Sequence, residues 1–305
     1  MSRTDAGLLD VSSAESTYRT VDGVDLHVVT AGDPEDPLVV LLHGFPDFWY
    51  GWRHQIPALV EAGFRVLVPD QRGYNLSDKP RDLSAYRMGR LSGDIAALVE
   101  SEGRESAHVV GHDWGAAVAW DLSVRYPAVV DRLGIVNVPH PTVMAQTLQT
   151  NPRQLLRSWY MFYFQVPGLP EWSLSRNDAA GVASVLERSS NPGAFTATDL
   201  QHYRRAYRQP GATRGPVNWY RALFRRRDDP PRERVAAPTL VLWGDQDDAL
   251  LPEMATESLE YCSDGRLERF PVASHWVHRE EPERVNELLV EHLGADSDTV
   301  AAEAS

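Results

Sequence analysis

The stretch from His108 to Trp120 constrains this chain most. Val109 and Val110 close a short apolar run, Gly111-His112-Asp113-Trp114-Gly115 follows, and Ala116 to Trp120 holds good helix formers. A strand that passes through Gly-x-Asp-x-Gly straight into a helix must turn sharply. Glycine permits both the turn and the close packing of strand on helix. The residue between the glycines is lifted off the end of the strand with its side chain presented. Here that residue is Asp113. A carboxylate has an unperturbed pKa of about 3.9 and is already ionised at neutral pH. It can displace a leaving group from an sp³ carbon and remain as an alkyl ester, which water must then cleave. An Asp that caps the following helix gives the same pattern, so the surrounding chain has to carry the assignment.

Strand-length apolar runs recur around this turn. Pro37–Leu42, Arg65–Pro69, Arg132–Val138 and Thr239–Trp243 are continuous rather than alternating, as suits strands buried on both faces of a parallel sheet. Thr17–Thr20 and Val24–Thr30 read as strands joined at Asp22-Gly23, a hairpin signal, and Leu267–Phe270 as a late strand. Trp49–Ala62, Tyr86–Glu102, Pro252–Tyr261 and Glu281–His292 read as helices, with His278 expected in the last of them. The alternation stops at Thr142 to Arg234, a run rich in Arg, Pro and aromatic residues without a clear strand. The expected architecture is α/β: a mostly parallel sheet flanked by helices, formed by residues 1–141 and 235–305, with a helical lid of residues 142–234 inserted after the strand ending near Val138. The small, acidic tail Ala295–Ser305 is expected to be disordered.

Composition narrows the functional classes. The 305 residues carry a net charge of −13, which argues against nucleic acid or an anionic membrane as partner. Lys79 is the only lysine and Cys262 the only cysteine, so no internal disulfide forms. Met1–Ser16 lacks the pattern of a signal peptide, and no apolar run approaches the ~20 residues of a membrane span. A soluble, cytoplasmic protein is expected. The histidines show no metal-ligand spacing, so neither metal nor other cofactor is expected, and nothing in the chain excludes a homodimer.

An ester on Asp113 needs a base to activate water and a group to orient that base. His275 follows the last predicted strand. Neutral imidazole, with an unperturbed pKa of about 6.5, can take a proton from water when a carboxylate fixes its tautomer. Asp245, Asp247 and Asp248 all follow the strand ending at Trp243 and are candidates for that carboxylate. His43-Gly44-Phe45-Pro46 ends another strand. The backbone N–H groups of Phe45 and Trp114 are candidates for an oxyanion hole; Pro46 has no N–H to offer.

With these residues in view, the chain resembles the epoxide hydrolases of the α/β-hydrolase fold over nearly its whole length. The matching stretches are His43-Gly44-Phe45-Pro46, Asp70-Gln71-Arg72-Gly73-Tyr74, Gly111-His112-Asp113-Trp114-Gly115, Asn137-Val138-Pro139-His140-Pro141, Trp243-Gly244-x-x-Asp247 and Ser274-His275-Trp276. The resemblance implies the order nucleophile, acid, histidine as Asp113, Asp247 and His275. It implies that the insertion is a lid, and that two lid tyrosines, Tyr160 and Tyr220, donate to the epoxide oxygen. That donation is chemically reasonable: the opening epoxide releases an alkoxide, and a phenol with a pKa of about 10 stays protonated at neutral pH to meet it. The substrate expected is a small apolar epoxide with water, held among Phe45, Trp114, Trp159, Phe164 and Trp219.

Two other readings fit part of the pattern. A dehalogenase with the same Asp nucleophile resembles this chain less. Haloalkane dehalogenases often carry Asn where Phe45 stands, and many place the acid where Asn137 stands; fluoroacetate dehalogenases carry Arg where Trp114 stands. A ligand-binding protein that kept the fold without turnover is the other reading, and the complete set of three catalytic residues argues against it.

Overall fold

The computed structural model describes residues 6–9, 11–225 and 234–294; the acidic tail lies outside them. Eight strands form one sheet: β1 Glu15–Val21, β2 Val24–Ala31, β3 Leu38–Leu42, β4 Arg65–Pro69, β5 Ala107–His112, β6 Val130–Val136, β7 Thr239–Gly244 and β8 Gly265–Phe270. Their order is β1-β2-β4-β3-β5-β6-β7-β8. The β1–β2 and β2–β4 pairs are antiparallel and the rest are parallel. Asp22 and Gly23 both have positive φ between the paired Val21 and Val24, the two-residue hairpin that suits strand twist. Every residue of β3 and β7 is buried, because helices cover both faces as a parallel sheet requires.

The helices are α1 Gln55–Glu61, α2 Met88–Ser101, α3 Trp114–Arg125, α4 Pro141–Thr150, α5 Pro152–Arg157, α6 Trp159–Tyr163, α7 Leu169–Arg188, α8 Ala197–Tyr207, α9 Arg214–Arg225, α10 Glu253–Ser258, α11 Val277–Glu280 and α12 Pro282–Gly294. In the sheet layers α2 packs on α3 and α1 on α12. Helices α4 to α9 all fall between β6 and β7. α7 is broken at Arg176–Ala179, where Asn177, Asp178 and Ala179 adopt φ of 51°, 62° and 57°, and Arg204 of α8 and Arg208 just after it clamp Asp178.

The inserted helices are tied to the sheet at both ends. Trp219 of α9 donates its indole N–H to the Arg72 carbonyl at 2.9 Å. A Cβ on Gly215 would overlap the Gly73 backbone, so glycine lets α9 seat directly on that loop. Gln154 of α5, fully buried, donates to the Ala249 carbonyl and accepts from the Leu251 N–H. Arg157 donates to the Asp247 carbonyl at 2.7 Å. The loops after β4 and β7 therefore lie directly beneath these helices.

Candidate active site

Asp113 sits at the turn from β5 to α3 with φ 51° and ψ −125°, a conformation that residues with a Cβ seldom adopt. Glycines clear the space around it. A Cβ on Gly111 would overlap the Gly115–Ala116 backbone, one on Gly115 the Leu42 carbonyl, and one on Gly44 the Asp113 carboxylate itself. The loop after β3 thereby closes onto the side chain. Asp113 Oδ1 accepts from the Phe45 N–H at 2.6 Å, and Oδ2 lies 3.5 Å from His275 Nε2. Trp114 is the first residue of α3, so its N–H is among the donors that a helix start leaves unpaired within the helix.

His275 Nδ1 and Asp247 Oδ2 are 2.7 Å apart. Asp247 is buried, and every lone pair it turns inward has a donor. Asn137 Nδ2 reaches Oδ2 at 2.7 Å, and the N–H groups of Ala249 and Leu250 reach Oδ1 at 2.7 and 3.1 Å. Burial alone would raise the proton affinity of this carboxyl; the His275 charge and the donors outweigh it and hold it below the usual range. Asp245 instead pairs with Arg269 at the surface and Asp248 is exposed. Of the three candidate carboxylates, Asp247 alone reaches His275. Burial disfavours the charged imidazole of His275, but the Asp247 carboxylate, reinforced by Asp113, pushes its pKa up to about 10.

A cavity of about 590 Å³ opens over Asp113, lined also by Trp114, Tyr160, Trp219 and Tyr220. The Tyr220 ring meets Trp114 at 5.0 Å and Tyr160 at 6.0 Å between centroids. Burial, with the Asp113 charge behind it, raises the pKa of both Tyr160 and Tyr220. Phe45 and Phe164 form the layer behind this lining, each packed on Tyr220. Trp159 differs from expectation. It is 64% exposed and faces away from the cavity, because adjacent residues of α6 project about a quarter-turn apart and Tyr160 takes the inward position.

A family model for the alpha/beta hydrolase fold matches residues 37–282. The chain belongs to the α/β-hydrolase fold family. It is 45% identical over 278 residues to the AB hydrolase superfamily protein YfhM of Bacillus subtilis, covering 90% of this chain and 96% of that one. It is 38% identical over 276 residues to human Epoxide hydrolase 4, covering 88% of this chain and 75% of the relative. Among solved structures it is similar to the Bacillus megaterium epoxide hydrolase in complex with an inhibitor, at a TM-score of 0.83 and 33% identity, covering 91% of this chain and all of that one.

Within this α/β-hydrolase, some groups at the site were not singled out by their sequence pattern. Asn137 directly follows β6 with φ 51°, accepts from the Gly244 N–H at 2.5 Å and donates to Asp247. Its one sequence signal is an Asn at a strand end, the residue that best tolerates a left-handed backbone after glycine. Arg157 and Gln154 lie in an insertion whose spacing gives no hint of the loop they hold. Below His275, His112 Nε2 donates to the His275 carbonyl at 2.9 Å. Asp47, His112 and His278 bring one ligand atom each within 4.8 Å of one another, the set among the described residues that could hold a metal. The 4.0 Å between His278 Nε2 and Asp47 Oδ2 exceeds the roughly 3.3 Å between ligand atoms around zinc bound at 2.0–2.1 Å. Arg279 and Arg53, which after burial depress the His278 pKa, also oppose a dication there. His278 itself lies in α11, one turn before the final helix.

Proposed function

We propose that this α/β-hydrolase converts an apolar epoxide to a vicinal diol through an alkyl ester on Asp113. The observation that carries the reading is one cavity with Asp113 at its base and the phenols of Tyr160 and Tyr220 lining its wall. Residues 1–141 and 235–305 act as the core domain, and residues 142–234 as a cap whose tyrosines complete the site.

Asp113 Oδ1 is occupied by the Phe45 N–H, so Oδ2 attacks the oxirane carbon. The carbon–oxygen bond of the ring breaks, and the departing oxygen takes its proton from Tyr160 or Tyr220. A halide would need no such proton, which is why the phenol pair favours epoxide over alkyl halide. Esterification removes the Asp113 charge. One of the two anions that hold a proton on His275 is then gone, and its pKa falls; the proton it releases restores the phenol, and the imidazole becomes a base. His275 takes a proton from water, the water oxygen adds to Asp113 Cγ, and the resulting oxyanion on Oδ1 is met by the Phe45 and Trp114 N–H groups. Collapse expels the diol and returns the carboxylate. Asp247, fixed by Asn137, holds the imidazole tautomer throughout.

A single turnover in heavy-oxygen water tests this path. One label should enter Asp113, and the first diol released should carry an oxygen from the unlabelled enzyme. Label passing directly into the diol with none on Asp113 would replace the ester by direct attack of water. His275→Gln should accumulate a stoichiometric adduct, because attack on the epoxide needs no base and cleavage of the ester does.

A further inference from the structure

Of the twelve large hydrophobic side chains exposed among the described residues, nine lie between Leu155 and Trp172 or at Leu223 and Phe224. They form one face. The Phe162 and Phe224 rings meet at 5.6 Å. Arg221 of α9 binds the Val166 carbonyl, which joins the segment after α6 to the end of α9. Leu156, Trp159 and Trp172 are 75%, 64% and 56% exposed, far more than isolated surface hydrophobics require. Leu223 and Phe224 both line the cavity over Asp113 and stand half exposed, so the exposed apolar set reaches the cavity mouth.

Charge on this face departs from the rest of the chain. Residues 152–176 present two exposed arginines, Arg153 and Arg176, and one acid, Glu171, in a protein of net charge −13; Arg157 turns inward to the Asp247 carbonyl. Glu171 is already paired with Arg221. The Arg176 guanidinium lies over the Trp172 ring at 4.9 Å. Exposed indoles and leucines interleaved with arginine, and short of free acid, match a phospholipid surface, whose apolar boundary and phosphates both find partners. A second copy of this chain would bring excess negative charge and no cavity-linked reason for the mouth to be apolar.

We propose that the outer face of α5, α6, the start of α7 and the end of α9 docks on a phospholipid bilayer, so that a lipophilic substrate enters the cavity from the lipid without crossing water. The whole-chain charge, which argues against an anionic membrane, averages over this local reversal. The docking surface stands apart from the epoxide reading; substrate entry from lipid rests on it.

Co-sedimentation of the purified full chain with phosphatidylcholine vesicles tests docking without any substrate. Binding is expected to phosphatidylcholine and to strengthen with added phosphatidylglycerol. Leu156→Glu/Trp172→Glu should weaken it by at least about tenfold, given the transfer free energy of two large apolar side chains, while turnover of a water-soluble epoxide stays at the parent rate. Turnover of an epoxide dissolved in the vesicles should fall with binding. The proposal is overturned by no sedimentation with either vesicle, by binding that the double variant does not change, or by a concentration-dependent dimer that the double variant dissociates. If the parent binds vesicles as expected but turns over neither epoxide, the epoxide reading fails and the docking surface stands.

Discussion

At the scale of single residues, Asn137 is the sharpest test of how the site is held. It donates to the same Asp247 oxygen that binds His275. A hydrogen bond to a buried charged group contributes about 1.5–3 kcal/mol, so Asn137→Ala should slow ester cleavage by roughly 10- to 100-fold. Adduct formation should stay near the parent rate, since Asp113 keeps its Phe45 donor; rapid-quench measurement of the two steps separates them, and equal losses in both would mean that Asn137 serves the nucleophile instead. The carboxylates give a second contrast. Asp247→Asn should abolish most turnover, whereas Asp245→Asn removes only a surface pair with Arg269, of the kind worth about 0–1 kcal/mol, and should leave kcat unchanged. Asp113 and His275 could be proposed from residue type and chain order, whereas Tyr160 and Tyr220 came from the family resemblance alone; the structure places both phenols on the cavity wall with Asp113. Asp247 was separable from Asp245 and Asp248 by the family resemblance alone, and the structure separates them by reach. Trp159 was misplaced because a motif records which residues are adjacent, not which way a helix turns them. Asn137 was quoted with its motif but its bond was invisible, since its partner lies 110 positions away.

At the scale of elements, the strands buried on both faces were the most legible, because continuous Val and Leu runs have few other homes in a soluble domain. Helix starts were less so, and proline explains both differences. Trp49–Ala62 reads as one helix, but the structure has a short 3-10 turn at Trp49–Trp52 and starts α1 at Gln55. Pro57 has no N–H and crowds the carbonyl four residues back, so it fits only the first turn of an α-helix. Pro282 likewise opens α12 and leaves His278 outside it. The junction that matters most is α3 on β3, where Gly115 touches the Leu42 carbonyl. Gly115→Ala should cost about 1–3 kcal/mol, the usual range for overpacking, and should also lower kcat by moving Asp113 and Trp114 together. Gly93→Ala in the interior of α2 meets nothing closer than 3.5 Å and should be neutral or stabilising by up to about 1 kcal/mol, as for glycine in a helix interior. Urea unfolding of the pair decides the matter: equal effects would show that the elbow has slack.

At the scale of the whole molecule, the site ties stability to pH in a direction that can be worked out. Folding buries His275 yet raises its pKa from 6.5 to about 10, through Asp247 and then Asp113. The native state therefore holds a proton that the unfolded chain releases above pH 6.5. Linkage then requires this histidine to contribute its full stabilisation below pH 6.5, to lose it progressively as pH rises, and to contribute nothing further once pH passes about 10. Self-repulsion of an acidic chain also grows with pH, so the parent alone cannot reveal the term. The difference between the parent and His275→Gln can, because both share the same acidic background. Urea unfolding followed from pH 6 to pH 10 should show the parent's stability falling relative to the variant across that window, with the steepest change between the two pKa values. A difference that stays constant with pH would mean that His275 is neutral in the resting protein. The loss of the Asp113 charge on esterification would then no longer be what turns it into a base.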